Sequence, residues 1–179
     1  MKRGEASYYF SRYNHIWGWA SWRRAWKHYN AEMDFWIEWK NSIEMTKYFN
    51  FPKEEKFWKR KFDDVYKGKI VTWDYQWTLC VFKNGGLTAT PNTNLVSNIG
   101  FGPEATNTTN EMFIDTSIEK SLGNITYTDV IIRNIEADKF VFKTIFYDSN
   151  MFWPKRGIIL LKKFLIKLLK QNHAGNKSK

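Results

Sequence analysis

The sequence contains one cysteine, Cys80, among its 179 residues. A single thiol cannot build a disulfide framework or a cysteine-based metal site, and its isolation favours a reducing compartment. Because Cys80 lies within the apolar run WTLCVF, we predict that it is a small buried side chain.

Long apolar runs are also absent. No stretch reaches the roughly 18 to 20 apolar residues that a membrane-spanning helix requires. The first residues, MKRGEASYYF, lack the continuous apolar segment of a signal peptide. We therefore expect a cytoplasmic protein, and the sequons at Asn107 and Asn124 carry little weight without a secretory route.

Acidic residues are missing from one end of the chain. Eight of the 28 Lys and Arg residues, but none of the 18 Asp and Glu residues, lie between Lys155 and Lys179. Residues 1–154 are therefore nearly neutral, with 20 basic and 18 acidic side chains. Because no basic stripe interleaved with aromatics spans this body, nucleic acid is not an expected partner.

Aromatic residues are abundant, at 18% of the chain with ten tryptophans. Tryptophan can fill a core, but it also stacks on sugar rings, bases and cations. The length, with 43% hydrophobic and 26% charged residues, is typical of one globular domain. We assign this domain to residues 1–154 and a basic tail to residues 155–179.

The sequence pattern predicts helices in the first half of the chain. A helix is expected from Ser21, with Ser21 as its N-cap and Trp22, Trp26 and Tyr29 on one face. A second helix is predicted over residues 53–66, after Pro52. Residues 67–82 fit either a strand or a short helix, since periodicity does not decide between them.

Strands are expected around these helices. Residues 1–20 read as a strand that runs into a loop, and KNGGL at 83–87 predicts a turn before a short strand that ends at Pro91. A long, ordered loop is expected at 92–108. The runs ITYTDVIIRN and KFVFKTIFY, at 125–134 and 139–147, predict two paired strands.

The tail GIILLKKFLIKLLK, at Gly157–Lys170, predicts a basic amphipathic helix, because its lysines share one arc. Two interpretations stay open. The helix lies on an anionic membrane surface, on the inner face of the membrane, or it docks by its apolar side on the body or on a partner. The residues after it are expected to be disordered.

Two short motifs carry the candidate chemistry. VTWDYQW places Asp74 between Trp73 and Trp77, where an ionised carboxylate needs a partner. In HIWGWASW, Gly18 permits a close backbone approach or a positive φ, and Trp17 and Trp19 flank it. From the residues alone, Asp74 is either a catalytic base or the cap of a helix that begins near Tyr75.

The tryptophans of HIWGWASW likewise either floor a sugar pocket or fill the core. Arg12 and His15 either contact phosphate and sugar hydroxyls or serve as hydrogen-bonded structural residues, and we favour the structural role.

SYYFSRYNHIWGWASWRRAWKHYN, VTWDYQW and PNTNLVSNIGFGPEATNT occur in that order. In order and spacing they resemble the C-terminal half of bacterial nucleotide-diphospho-sugar glycosyltransferases with a GT-A fold, some of which are called hemolytic-protein-like. The resemblance covers residues 7–110. A more distant analogy extends to the eukaryotic N-acetylglucosaminyltransferases that transfer onto mannose.

The resemblance implies an α/β fold, a mixed sheet with flanking helices. It also implies transfer of a sugar from a nucleotide diphosphate, in which a carboxylate removes the proton of the attacking acceptor hydroxyl. Asp74 would be that base, shielded from water and made more basic by neighbouring indoles, and Gln76 would orient a hydroxyl. The expected substrate-binding residues are Trp17, Gly18, Trp19, Trp73, Gln76, Trp77, Asn98 and Asn107.

The sequence also departs from the family. The family's loop usually ends in Ala-Thr-His-Thr, but Asn107 replaces the histidine here, and Asn is a poor ligand for a transition metal. The Asp-x-Asp motif of the nucleotide-binding half is missing, and only Asp63 and Asp64 are adjacent. We therefore expect Mn²⁺ or Mg²⁺ only with a separate N-terminal half, and no metal bound by this chain alone.

Because the resemblance begins close to Met1, the chain is expected to be the acceptor-side half of an enzyme. It would be a truncated gene, a separately encoded half or a fragment. The expected partners are a nucleotide-sugar donor, a glycan or lipid-linked acceptor, and the N-terminal half. The alternatives are a non-catalytic carbohydrate- or membrane-binding module and an inactive remnant.

Overall fold

The structure, a computed structural model, describes residues 3–49, 51–96 and 123–147. Contacts between residues divide the chain into two units, Met1–Asp138 and Lys139–Lys179. The predicted boundary between the body and the tail, at 154/155, lies outside the described residues. So do the predicted tail helix at 157–170, the disordered end and most of the long loop at 92–108.

Helices form most of the regular secondary structure described in the first unit. In chain order they are α1 (Arg23–Trp26), α2 (Trp36–Lys40), α3 (Ile43–Tyr48), α4 (Pro52–Tyr66) and α5 (Asp74–Lys83). The prediction of α4 is confirmed. Pro52 occupies its first turn, where a missing N–H costs nothing, and Glu54 and Glu55 follow in the same turn. The undecided segment at 67–82 is helical in its second half.

The predicted helix after Ser21 exists but is a single turn, α1. Its N-cap is Trp22, so the predicted cap at Ser21 is wrong. The Ser21 hydroxyl donates a long hydrogen bond, 3.4 Å, to the Trp22 carbonyl, and no side chain caps the first N–H groups of the helix.

Two strands, β1 (Tyr8–Ser11) and β2 (Thr88–Pro91), form an antiparallel sheet in which Tyr8 faces Pro91 and Ser11 faces Thr88. Both strands were predicted, including the end of the second at Pro91. The predicted turn before β2 is confirmed at Gly85, whose φ of 62° is readily adopted by glycine. The described part of the chain is therefore of mixed α and β structure.

The prediction of two paired strands at 125–134 and 139–147 is wrong. Residues 126 and 134 bond to the backbone of Ser7 and Phe10, but the chain between them forms no strand. The second run is helical, in α6 (Ile135–Val141) and the π-helical segment Phe142–Tyr147. The reason is a missed cap: the Asn134 side chain accepts a hydrogen bond from the Ala137 N–H at 2.9 Å.

The core of the first unit is built from aromatic rings. The fully buried side chains include Trp36, Trp58, Phe62 and Phe82, and the Trp58 and Phe62 rings stack at a centroid distance of 5.2 Å. Cys80 is buried as predicted and accepts a hydrogen bond from the Asn30 N–H. Within residues 3–49, 51–96 and 123–147, no helix has the length and apolar content needed to cross a membrane.

Candidate functional site

The two tryptophan motifs meet in the folded chain. The indole of Trp19, from HIWGWASW, stacks on that of Trp73, from VTWDYQW, with centroids 5.5 Å apart and planes 26° from parallel. Trp26 on α1 lies between the motifs, with its ring 4.9 Å from Trp77 and 6.5 Å from Trp73. Segments more than 50 positions apart in the sequence thus build one tryptophan cluster.

Beside this cluster lies an open groove, which we call the tryptophan groove. Its volume is 760 Å³, within the range of small-molecule sites. Trp26 and Trp73 are 40% and 44% exposed, so large indole surfaces are open to solvent. The lining residues are Trp19, Ala20, Ser21, Arg23, Trp26 and Trp73.

Gly18 fixes the backbone that carries Trp19. Its φ is 62°, and a Cβ atom built on it would lie 2.4 Å from Cγ2 of Val96. The sequence predicted either a positive φ or a close approach, and the structure has both. Any other residue would meet backbone strain and a clash at the same position.

Asp74 is the first residue of α5, directly after Trp73 in the sequence. Its Oδ1 accepts hydrogen bonds from the Thr72 hydroxyl and, at 2.7 Å, from the Tyr75 N–H. Among the described residues, none donates to Oδ2. The carboxylate is half-buried, and its Oδ1 atom accepts both of these hydrogen bonds.

These contacts satisfy part of the alternative interpretation, in which Asp74 caps a helix. The N-cap of α5 is Trp73, so Asp74 is not the cap residue itself. Its carboxylate accepts from the N–H of the next residue, Tyr75, whereas an N-cap side chain bonds to an N–H two or three residues ahead of itself. The carbonyl of Asp74 accepts from the Thr78 hydroxyl at 2.9 Å. Both roles therefore stay compatible with the position of the side chain.

The other predicted site residues differ in how they relate to the groove. Trp77 is only 5% exposed, and it packs against the rings of Trp19 and Trp26 but does not line the groove. Gln76 donates from Nε2 to the Ala31 carbonyl at 3.2 Å, and its buried Oε1 has no partner among the described residues. Trp17 is 43% exposed and does not line the groove. Asn98 and Asn107 lie outside the described residues.

Sequence reasoning missed four lining residues, Ala20, Ser21, Arg23 and Trp26. Trp26 was recognised as part of an apolar helical face with Tyr29, and these two rings do stack, at 4.6 Å. The overlooked signal was the proximity of this helix to HIWGWASW, whose last residue, Trp22, directly precedes Arg23. A short helix straight after a binding loop contributes to the same surface.

Arg12 has a structural role rather than a role in ligand binding. Its guanidinium is buried and pairs with Glu54, with Nη2 and Oε2 2.6 Å apart, and Nη1 donates to the Tyr48 carbonyl. The Tyr13 hydroxyl also donates to the Glu54 carboxylate. The favoured structural interpretation of Arg12 is therefore confirmed.

A second carboxylate, Asp138, completes this buried network. It accepts from the Ser11 hydroxyl at 2.6 Å and from Arg133 Nε at 2.5 Å, and it lies 3.8 Å from Arg12 Nε. Burial lowers the pKa of His15, and the Asp138 charge opposes this shift. The network thus joins two cations and two anions with little exposure to solvent.

The described residues offer no set of three or more His, Cys, Asp or Glu side chains that could hold a metal ion together. The adjacent pair Asp63 and Asp64 does not fit such a role. Asp63 accepts hydrogen bonds from Trp36 Nε1 and Lys40 Nζ, and Asp64 lies 3.9 Å from Lys69. These carboxylates serve the packing of α2 and α4 and the end of α4.

Comparison of the chain with protein-family models, with curated proteins and with solved structures gave no match.

Proposed function

We propose that this chain is the acceptor-side half of a nucleotide-sugar glycosyltransferase with a GT-A fold, and that Asp74 is its general base. The contact between the two motifs that resemble this family carries the proposal: Trp19 stacks on Trp73 and borders the tryptophan groove. Flat indole surfaces suit the apolar faces of sugar rings. Asp74 follows Trp73 directly in the sequence, although Asp74 itself does not line the groove. A carboxylate suits activation of a sugar hydroxyl.

The proposed chemistry is a displacement at the anomeric carbon of the donor sugar. The acceptor binds in the tryptophan groove, and its hydroxyl gives a proton to Oδ2 of Asp74 as it attacks. Hydrogen bonds from Thr72 and Tyr75 to Oδ1 hold the carboxylate in one orientation. Fixing the base in this way reduces the entropy lost on reaching the transition state.

The donor's diphosphate and any divalent cation belong, in this proposal, to a nucleotide-binding half. The sequence itself contains no Asp-x-Asp. The reaction would take place at the cytoplasmic face of a membrane, with residues 157–170 at the surface, in the synthesis of a surface polysaccharide or a lipid-linked glycan. No step assigned to this chain depends on the cation.

A second candidate is a non-catalytic carbohydrate-binding module. One observation favours it: Asp74 bonds to the N–H of Tyr75 at the start of α5, which a purely structural acid would also do. In that case the tryptophan groove binds a glycan, and Asp74 has no role beyond the helix terminus.

The test is Asp74→Asn introduced into the complete enzyme, in the cells that produce the glycan, with Asp129→Asn as the matched control. Asp129 is an exposed acid in the same unit, remote in sequence from both motifs. We expect Asp74→Asn to lower transfer by about 10²- to 10⁴-fold, the usual effect of removing a general base. The control should keep full activity.

Glycan binding by the purified chain separates the two candidates. The proposed enzyme loses transfer in Asp74→Asn but retains acceptor binding, because the groove is intact. Full transfer activity in a folded Asp74→Asn variant would overturn the base assignment. Binding without any transfer, in the native chain combined with a nucleotide-binding half, would establish the module instead.

A further inference from the structure

The tryptophan groove carries a positive charge that no acidic side chain of the described residues balances. Arg23 lines the groove, and no acidic side chain among the described residues pairs with it. From Ala6 to Ala31 the sequence contains no Asp or Glu, whereas Arg23, Arg24 and Lys27 lie on or next to α1. The guanidinium of the neighbouring Arg24 instead lies over the Trp22 ring, 4.9 Å from its centre.

Two other arginines in the same unit have structural roles, and each of them pairs with an acidic side chain. Arg12 and Arg133 both contact carboxylates, Glu54 and Asp138, at 2.6 Å and 2.5 Å. Arg23 has no such partner within residues 3–49, 51–96 and 123–147, although it borders an apolar surface where a guanidinium gains from an anion. Its position indicates a charge that is available to a ligand.

We propose that the tryptophan groove selects an anionic glycan as its acceptor, with the sugar ring on the indoles and the anionic group on Arg23. This inference rests on the proposed function, because it names the substrate class of the same groove. The planar guanidinium forms two parallel hydrogen bonds with either a carboxylate or a phosphate. The anion is therefore a sugar carboxylate or a phosphate attached to the sugar.

Calorimetric titration of the full chain with four probes tests this. The first is a tetrasaccharide that contains glucuronic acid, and the second is its carboxyl-reduced, neutral form. The third is glucose 1-phosphate, which reports a phosphate-bearing acceptor. The fourth is UDP, which reports a nucleotide ligand and tests whether the groove belongs to the donor.

The variants are Arg23→Gln, with Arg60→Gln as the matched control. Both arginines are exposed, but Arg60 lies on α4 and does not line the groove. Arg23→Gln should weaken binding of the acidic tetrasaccharide or the sugar phosphate by about tenfold to a hundredfold, as for loss of a charged hydrogen bond. It should leave the neutral tetrasaccharide unchanged, and Arg60→Gln should change neither.

Each alternative outcome has a separate meaning. If the neutral tetrasaccharide binds as tightly as the acidic one and Arg23→Gln has no effect, the groove binds glycans but anion selection is overturned. If no sugar probe binds, the proposed function fails together with this inference. If UDP binds more tightly than every sugar probe and loses affinity in Arg23→Gln, the acceptor assignment is overturned in favour of a nucleotide site.

Discussion

The buried network around Arg12 and the tryptophan groove both combine aromatic rings with charged side chains, but only the groove is open to solvent. In the network, Arg12 and Glu54 are 1% and 0% exposed, and Arg12 faces the rings of Tyr13, Tyr48, Phe49 and Phe82. In the groove, the indoles of Trp26 and Trp73 are 40% and 44% exposed beside Arg23.

The two regions also differ in how their charges are balanced. Each buried cation has an acidic partner, because an unpaired charge is costly away from water. Arg23 and Oδ2 of Asp74 have no such partner among the described residues, and water can solvate both. The comparison indicates that the first region maintains the fold and that the second is open for binding.

The largest expected effect comes from breaking the buried network. Arg12→Met leaves the Glu54 carboxylate buried without its cation, and loss of one partner of a buried pair costs about 3–5 kcal/mol. We expect the free energy of unfolding, measured in urea, to fall by that amount. Arg23→Met, at the exposed groove, should change it by less than about 0.5 kcal/mol.

A double variant sharpens this prediction. Arg12→Met with Glu54→Gln removes both charges, so much of the lost stability should return, since the remaining groups include no unpaired ion. Equal losses for Arg12→Met and Arg23→Met would mean that the network does not maintain the fold.

A smaller effect is expected at the loop that forms one wall of the groove. Gly18→Ala forces an L-residue to a φ of 62° and places a Cβ atom 2.4 Å from Val96 Cγ2. The backbone term alone costs about 1–2 kcal/mol. We expect lower stability by at least that amount and a weakened Trp19–Trp73 stack, visible in the near-UV circular dichroism.

Gly85→Ala provides a matched control for Gly18→Ala. Gly85 has the same φ, 62°, but a Cβ atom there would meet no other atom within 4 Å. It should reproduce the backbone cost without the change in the tryptophan signal. If both variants alter that signal equally, Gly18 does not position Trp19.

The smallest effect is a pH dependence of the free energy of unfolding, which arises in the buried network around Arg12. Burial lowers the pKa of His15 below its ordinary value of 6.5, so the unfolded chain binds a proton more readily than the folded chain. Stability should therefore decrease as the pH falls below 6.5, by at most about 1.4 kcal/mol per pH unit, the limit for one proton.

His15→Gln should flatten this dependence, whereas His28→Gln, at an exposed position, should not. The measurement is the free energy of unfolding in urea between pH 7 and pH 5. An unchanged slope in His15→Gln would contradict the assignment of this titration to His15.

Local signals in the sequence predicted much of the fold. Pro52 marks the start of α4, and the Asn-Gly-Gly turn and Pro91 delimit β2, because backbone restrictions act over a few residues. The run KFVFKTIFY at 139–147 misled, since its β-branched and aromatic content suits a strand, while the helix that Asn134 caps extends into it. In that run, the strand propensity of the residues was overridden by the side-chain hydrogen bond of Asn134 and by the acidic residues in the first turn of α6.

The candidate site was predictable only in part. The two motifs could be assigned to one site through a resemblance, and Trp19 does contact Trp73. Arg23 was not recognised because nothing in its local sequence distinguishes a groove cation from a solvated one. Arg12 and Glu54 are 42 positions apart, and no periodicity links two such partners before the chain folds.

The most direct test of the account observes the tryptophans themselves during binding. We would titrate ¹⁵N-labelled protein with the glucuronic-acid tetrasaccharide and follow the indole N–H resonances by NMR. We expect shifts for Trp19, Trp26 and Trp73, and none for Trp36 and Trp58, which are 0% and 1% exposed. Unchanged resonances of the three groove tryptophans at saturating tetrasaccharide would contradict the account.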